Sequence, residues 1–149
     1  MPGPARKILE IPVTAGFNRP NFPYWGRFHQ KLSSNSLKFF RSVSLAWHTG
    51  LLKKLYLSPE LSSKEDMVSL VRCAIESNHP IIHMYLHSSS LIPGHKNYIT
   101  HKTDVDGLYR SISHVIEYLT HNFDVNFATL SEAKTLLTNG FEGYQLLKK

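Results

Sequence analysis

A chain of 149 residues, 42% apolar and 19% charged, has the hydrophobic content of one folded domain with its own core, which excludes a disordered chain. Its formal charge of +6 would suit an anionic partner, but no basic run exceeds a pair (Lys53-Lys54, Lys148-Lys149) and no nucleic-acid motif appears. The single Cys73 excludes an internal disulfide and a CxxC zinc site.

Lys7 to Thr14 reads as a first strand, with Leu9, Ile11 and Val13 on one face and Pro12 at an end or edge. Ala15 to Gly26 reads as irregular, because Gly16, Pro20 and Pro23 punctuate the aromatics Phe17, Phe22, Tyr24 and Trp25. Residues 27–54 are expected to form one or two helices, packing through Phe28, Leu32, Phe39, Phe40, Leu45, Trp47, Leu51 and Leu52. Leu55 to Ser58 is a short strand ended by Pro59, and Ser62-Ser63-Lys64-Glu65 supplies a capping box for the next helix. That helix has its apolar stripe at Met67, Leu70, Val71, Ala74 and Ile75, with Cys73 read as a buried, inert thiol among them. Asn78-His79-Pro80 stops it, and Ile81 to His87 follows as a central strand.

A long loop, Ser88 to Lys102, leads to a helix capped by Thr103 with its stripe at Val105, Leu108, Ile112, Val115, Ile116 and Leu119. Val125 to Thr129 reads as a last strand, and Ser131 caps a short helix ended by Gly140. Strands alternating with helices predict an α/β fold of parallel β-α units. With about four strands against the eight of a closed barrel, the chain is expected to be a single domain, 1–149, forming a small open sheet or part of an irregular (β/α) barrel. No stretch approaches the ~20 apolar residues of a membrane span, and the start lacks a signal-peptide apolar core. A cytoplasmic chain is therefore expected.

On the central strand, Ile82, Met84 and Leu86 share an apolar face, while Ile81, His83, Tyr85 and His87 share an unusually polar one. A polar second face suggests a ligand-lined crevice. His87 stands at the strand's C-terminal mouth, where β-α folds place their chemistry, and reads as a general acid/base. His83 is roughly 13 Å from it along a strand, too far to share a metal, and reads as a hydrogen-bonded interior histidine. Ser88-Ser89-Ser90 lacks the G-x-S-x-G elbow, so these serines read as loop formers rather than nucleophiles. Tyr85 on the histidine face, Ser88 beside it, and Trp25 in the aromatic stretch are the candidate substrate contacts.

Four segments in order, Glu10-Ile11-Pro12-Val13-Thr14, Leu57-Ser58-Pro59-Glu60, His87-Ser88-Ser89-Ser90-Leu91-Ile92-Pro93-Gly94 with Tyr98, and Thr129-Leu130-Ser131-Glu132, carry a family likeness. The chain resembles the C-terminal half of polysaccharide deacetylase-like proteins of the NodB-homology type, in the branch linked with lipopolysaccharide and exopolysaccharide biosynthesis. The resemblance implies an irregular (β/α) barrel and a hydrolase of C–N bonds other than peptide bonds, removing acetyl groups from glycans with zinc or another divalent metal. It gives His87, in Tyr85-Leu86-His87, the role of protonating the leaving group. The family's Asp-Asp motif is absent and no H-x-x-x-H metal pair stands in a suitable place, since His83 and His87 are spaced along a strand, and Asp104-Val105-Asp106 reads as helix-start chemistry. The expectation is a truncated deacetylase with no metal ligands or cofactor of its own, inactive alone. Its implied partners are an acetylated polysaccharide or lipid-linked glycan and a complementing N-terminal-half polypeptide or a second copy. The alternative is a non-catalytic remnant that binds glycan or protein.

Overall fold

The computed structural model describes residues 9–32, 52–93 and 102–138. The expected packing positions Phe39, Phe40, Leu45, Trp47 and Leu51, the Thr103 cap, and Gly94, Tyr98 and Gly140 lie outside the described backbone or side chains.

Two short strands, β1 (Ala15–Phe17) and β2 (Lys54–Tyr56), form an antiparallel pair with Gly16 opposite Leu55. Leu57 N–H to Thr14 O (2.9 Å) and Asn18 N–H to Lys53 O (3.0 Å) extend the contact past both ends. Of the strand expected over Lys7–Thr14, the described residues 9–14 carry no strand, and β1 opens one residue later, inside the stretch read as irregular. Gly16 explains the misreading: a Cβ there would stand 2.5 Å from the Phe22 ring, so the glycine admits a side chain rather than breaking the strand.

Helix α1 (Phe22–Leu32) begins five residues before the helical stretch expected from residue 27, inside the segment read as irregular. Pro23 sits in its first turn, where a missing N–H breaks no helical bond. Asn21, at φ 64°, turns the chain into the helix, and its Oδ1 accepts from Tyr24 N–H at 3.3 Å. Helix α2 (Lys64–Glu76) follows the sequence closely: Met67, Leu70, Val71, Cys73, Ala74 and Ile75 are buried. Its cap is Ser63, whose hydroxyl accepts from Asp66 N–H at 3.1 Å, so the acidic residue at the third position is Asp66 rather than Glu65. Asn78, at φ 57°, closes the helix, with Asn78 N–H to Ile75 O (2.9 Å) and His79 N–H to Ala74 O (3.0 Å). These are the paired bonds of a Schellman ending.

The segment 81–87 makes isolated backbone bonds rather than a continuous ladder. Thr14 N–H donates to His83 O (2.9 Å), His83 N–H to Thr14 Oγ1 (2.8 Å), and Tyr85 N–H to Leu57 O (3.2 Å). Ile82 and Met84 pack on the main core as the alternation requires. That core joins Leu55 and Leu57 to Met67, Leu70, Val71 and Ile75 of α2, and to Val115 and Phe123. The first of these last two lies on helix α3 (Lys102–Asn122). On α3 the stripe is narrower than expected: Val105, Leu108 and Val115 are buried, while Ile116 is 38% exposed.

The last expected strand is not a strand; residues 124–129 lead irregularly into helix α4 (Leu130–Thr138). Its cap is Thr129, not Ser131. Thr129 N–H and Oγ1–H donate to Glu132 Oε2 at 2.6 and 2.8 Å, and Glu132 N–H returns to Thr129 Oγ1 at 3.3 Å. The threonine taken as the end of a strand thus closes a capping box. The described residues form a mixed helix-and-strand chain with one two-stranded antiparallel sheet, and none of their helices is long and apolar enough to cross a membrane.

Candidate functional site

Two connections converge on one carboxylate. After β2 the chain turns tightly through Ser58-Pro59-Glu60-Leu61, closed by Leu61 N–H to Ser58 O at 3.1 Å. Proline fits the second position of such a turn because its φ is already set. The fully buried Ser58 hydroxyl accepts from Glu60 N–H at 3.4 Å. This turn delivers the Glu60 side chain inward, 2% exposed.

From the other side, residues 81–87 bring in His87, and a 3-10 turn (Ser88–Leu91) begins at once, with Ser90 N–H bonded to His87 O at 2.9 Å. Glu60 Oε1 accepts from His87 N–H at 3.2 Å and from the hydroxyl of the fully buried Ser90. Glu60 Oε2 meets His87 Nδ1 at 2.6 Å. A buried carboxylate is costly unless its lone pairs are met by donors, and here both oxygens are engaged.

The chemistry follows from the geometry. An ionised carboxylate can only accept, so His87 carries its proton on Nδ1 and its Nε2 becomes the basic nitrogen. The His87 side chain is 63% exposed, which leaves that nitrogen open to a ligand. When Nε2 takes a proton, Glu60 stabilises the resulting imidazolium. An oriented carboxylate beneath an imidazole is the arrangement that supports general acid/base transfer. It is not a nucleophile triad, because the Ser90 hydroxyl engages the carboxylate and not the ring.

Tyr85 stands edge-on to His87 with ring centroids 6.3 Å apart, and Ser88 is exposed directly after it. Trp25 belongs to another cluster. It packs against Phe17 and Leu52, meets Tyr24 and Phe28 edge-to-face, and lies under the Arg19 guanidinium at 5.6 Å. His83 departs from expectation: its Nδ1 is enclosed and has no hydrogen-bond partner among the described residues. The tautomer protonated on Nε2 is the cheaper one there, since it encloses a lone pair rather than an N–H. Cys73 is a free, buried thiol whose burial pushes its pKa up, the opposite of an activated nucleophile.

Glu60 is the member of this cluster that the sequence-predicted site left out. It stood only in the Leu57-Ser58-Pro59-Glu60 segment, three residues past a buried leucine in a proline turn, and nothing local ties it to a histidine 27 residues later. A zinc site is not assembled by the described residues: no three of their His, Cys, Asp or Glu side chains converge. A shallow hollow on α3 between His114 and His121 involves none of the Glu60 cluster. Comparison with known family models, curated proteins and solved structures finds no match for this chain.

Proposed function

We propose that the chain supplies the proton-transfer part of a polysaccharide deacetylase-like active site, on part of an irregular (β/α) barrel, in cell-surface polysaccharide metabolism. The observation that carries this reading is the buried Glu60 carboxylate 2.6 Å from Nδ1 of an exposed His87. In such a site His87 Nε2–H gives its proton to the leaving nitrogen or oxygen as the acetyl C–N or C–O bond breaks, and Glu60 holds the ring and steadies its charge. Tyr85 and Ser88 flank the ring and serve as substrate contacts. The carbonyl-polarising metal and its activated water fall to another polypeptide, a complementing half carrying the Asp and His ligands. No step through that metal is assigned to residues described here.

The test is a titration with N-acetylated chitooligosaccharide, following the His87 ring by NMR and released acetate in the same sample. Binding that moves the His87 and Tyr85 signals, with any acetate release falling at least ~10²-fold in His87→Ala, is the expected result. No shift and no acetate would overturn the glycan reading. A second reading, glycan binding without chemistry, draws on Tyr24, 52% exposed beside Trp25. It predicts that the oligosaccharide perturbs the Trp25 indole and leaves His87 unmoved.

A further inference from the structure

We propose that the outward face of α1 docks the chain on an anionic lipid surface. Charge marks the region first. Between Glu10 and Glu60 the chain carries seven Lys and Arg residues and no Asp or Glu, while the remainder holds ten Lys and Arg against eleven Asp and Glu. The whole positive excess of the chain therefore lies in this one stretch. The fold turns part of it outward. On α1, Phe22, Trp25 and Phe28 pack on Phe17 and Leu52, which leaves Tyr24, Arg27 and Lys31 exposed at i, i+3 and i+7 on the solvent side. The Arg19 guanidinium lies 5.6 Å over the Trp25 ring, and Tyr24 meets the same ring edge-on at 5.1 Å, so a third cation joins this aromatic group. Lys53 does not count with them, because Asp66 of α2 takes its ammonium. Glu76 of α2 adjoins Ser77, whose hydroxyl accepts Asn21 N–H at 2.9 Å. That acid stands at the start of α1, about 13 Å along the axis from Lys31.

Shape and charge together select the occupant. The exposed side of a helix is convex, and here its cations are scattered rather than set in a run. A nucleic-acid strand is held by a basic groove that tracks its backbone. A bilayer is flat and presents anionic headgroups throughout, so scattered cations engage it without any register. Tyr24 adds a ring with a polar tip, the amphipathic form that settles at headgroup level. The apolar side of α1 is spent on Phe17 and Leu52, so the contact runs through charge and one exposed ring rather than through insertion. Docking through α1 is independent of the chemistry read at His87.

The experiment is co-sedimentation of the full chain, at about 0.1 M salt, with phosphatidylcholine vesicles holding either no anionic lipid or about 30% phosphatidylglycerol. Wild type pellets with the anionic vesicles alone and is released at about 0.5 M salt, where screening is more than twice as short-ranged. Arg27→Gln with Lys31→Gln lowers the partition coefficient roughly 30-fold, since each cation near such a surface contributes about a factor of five. Arg110→Gln with Lys134→Gln makes the same change in net charge at exposed positions of α3 and α4, and lowers it by less than about 3-fold. Tyr24→Ala gives a smaller fall than the Arg27 and Lys31 pair. Salt release of the wild type needs no variant, so the electrostatic docking is tested even where a substitution disturbs folding. Equal pelleting with uncharged vesicles, no pelleting with either, or equal loss in the two double variants overturns the proposal. Capture of a single-stranded oligonucleotide through Arg27 and Lys31 by a chain that ignores both vesicles also overturns it, and assigns the face to nucleic acid.

Discussion

The β1–α1 and β2–α2 units share one plan, a three-residue strand feeding a helix, and their strands pair with each other. Their helices differ sharply. Six residues of α2 are buried, whereas α1 meets the Phe17–Leu52 cluster with half-buried Phe22, Trp25 and Phe28. Stability is thus concentrated in the second unit, and the first is held by aromatic edges. Leu70→Ala, at a fully buried site, is expected to cost about 2–5 kcal/mol by urea denaturation. Phe28→Ala should cost less than half of that. Equal costs would mean that the two units share one core.

The next test acts on the joint within the first unit. Gly16→Ala drives a methyl into the Phe22 ring and should cost about 1–3 kcal/mol. Phe22→Leu, which withdraws the ring, should make the same alanine cheaper. If it does not, the close approach is not what the glycine serves.

The connections differ as much as the helices. Between β2 and α2 the turn carries Glu60 to His87, while between β1 and α1 Asn21 only starts a helix and accepts no imidazole. Glu60→Gln keeps the shape and removes the charged acceptor, so the His87 Nδ1–H signal should move in the NMR spectrum. An unmoved signal would mean that the ring and carboxylate are not paired in solution.

These contrasts explain what the sequence could reveal. The α2 stripe and its Asn78 ending were legible because each signal lies within one or two helical turns. Only the second half of helix α1 was, from residue 27 with Phe28 as a packing position; Pro23 and Gly26 hid its first half, whose aromatic packing on Phe17 and Leu52 is non-local. The strand assigned to Val125–Thr129 failed on a short stretch, β-branched only at its two ends, that is a capped approach to α4. His87 was legible from its place after an apolar, alternating segment. Glu60 was not, since its partner lies 27 residues away, and Ser90 looked like any loop serine until the carboxylate was seen beneath it. The parallel-sheet expectation turned on Ile81–His87, whose apolar alternation is real but whose backbone bonds go singly to Thr14 and Leu57.

A smaller effect separates the two left-handed asparagines. Asn78 at the end of α2 is needed for its φ, so Asn78→Gly should be neutral or slightly stabilising, while Asn78→Ala should cost about 1 kcal/mol in thermal unfolding. Asn21 also offers Oδ1 to Tyr24 N–H, so Asn21→Gly keeps the backbone but loses the cap. It should therefore destabilise where Asn78→Gly does not.

The smallest effect divides the two capped helix starts by pH. At α4 the Glu132 carboxyl is held below the usual glutamate range, first by the Thr129 amide and then by its hydroxyl. A carboxylate depressed in the folded state contributes stability that is fully present above its unfolded pKa, about 4.3, and is lost as pH falls through the lower folded value. At α2 the start is held by the Ser63 hydroxyl, which does not titrate. Amides in the first turn of α4 should therefore lose hydrogen-exchange protection on acidification, below the pH at which unfolded glutamate takes up its proton. The matching amides of α2 should keep theirs over the same range. Because Glu132 is exposed, the effect stays local to the helix end rather than unfolding the chain. Glu132→Gln retains an acceptor for the Thr129 N–H without a titrating charge, so the pH dependence at α4 should vanish in that variant. Its persistence would place the acid-sensitive group elsewhere and reduce the Thr129–Glu132 box to an ordinary hydroxyl cap like that of Ser63.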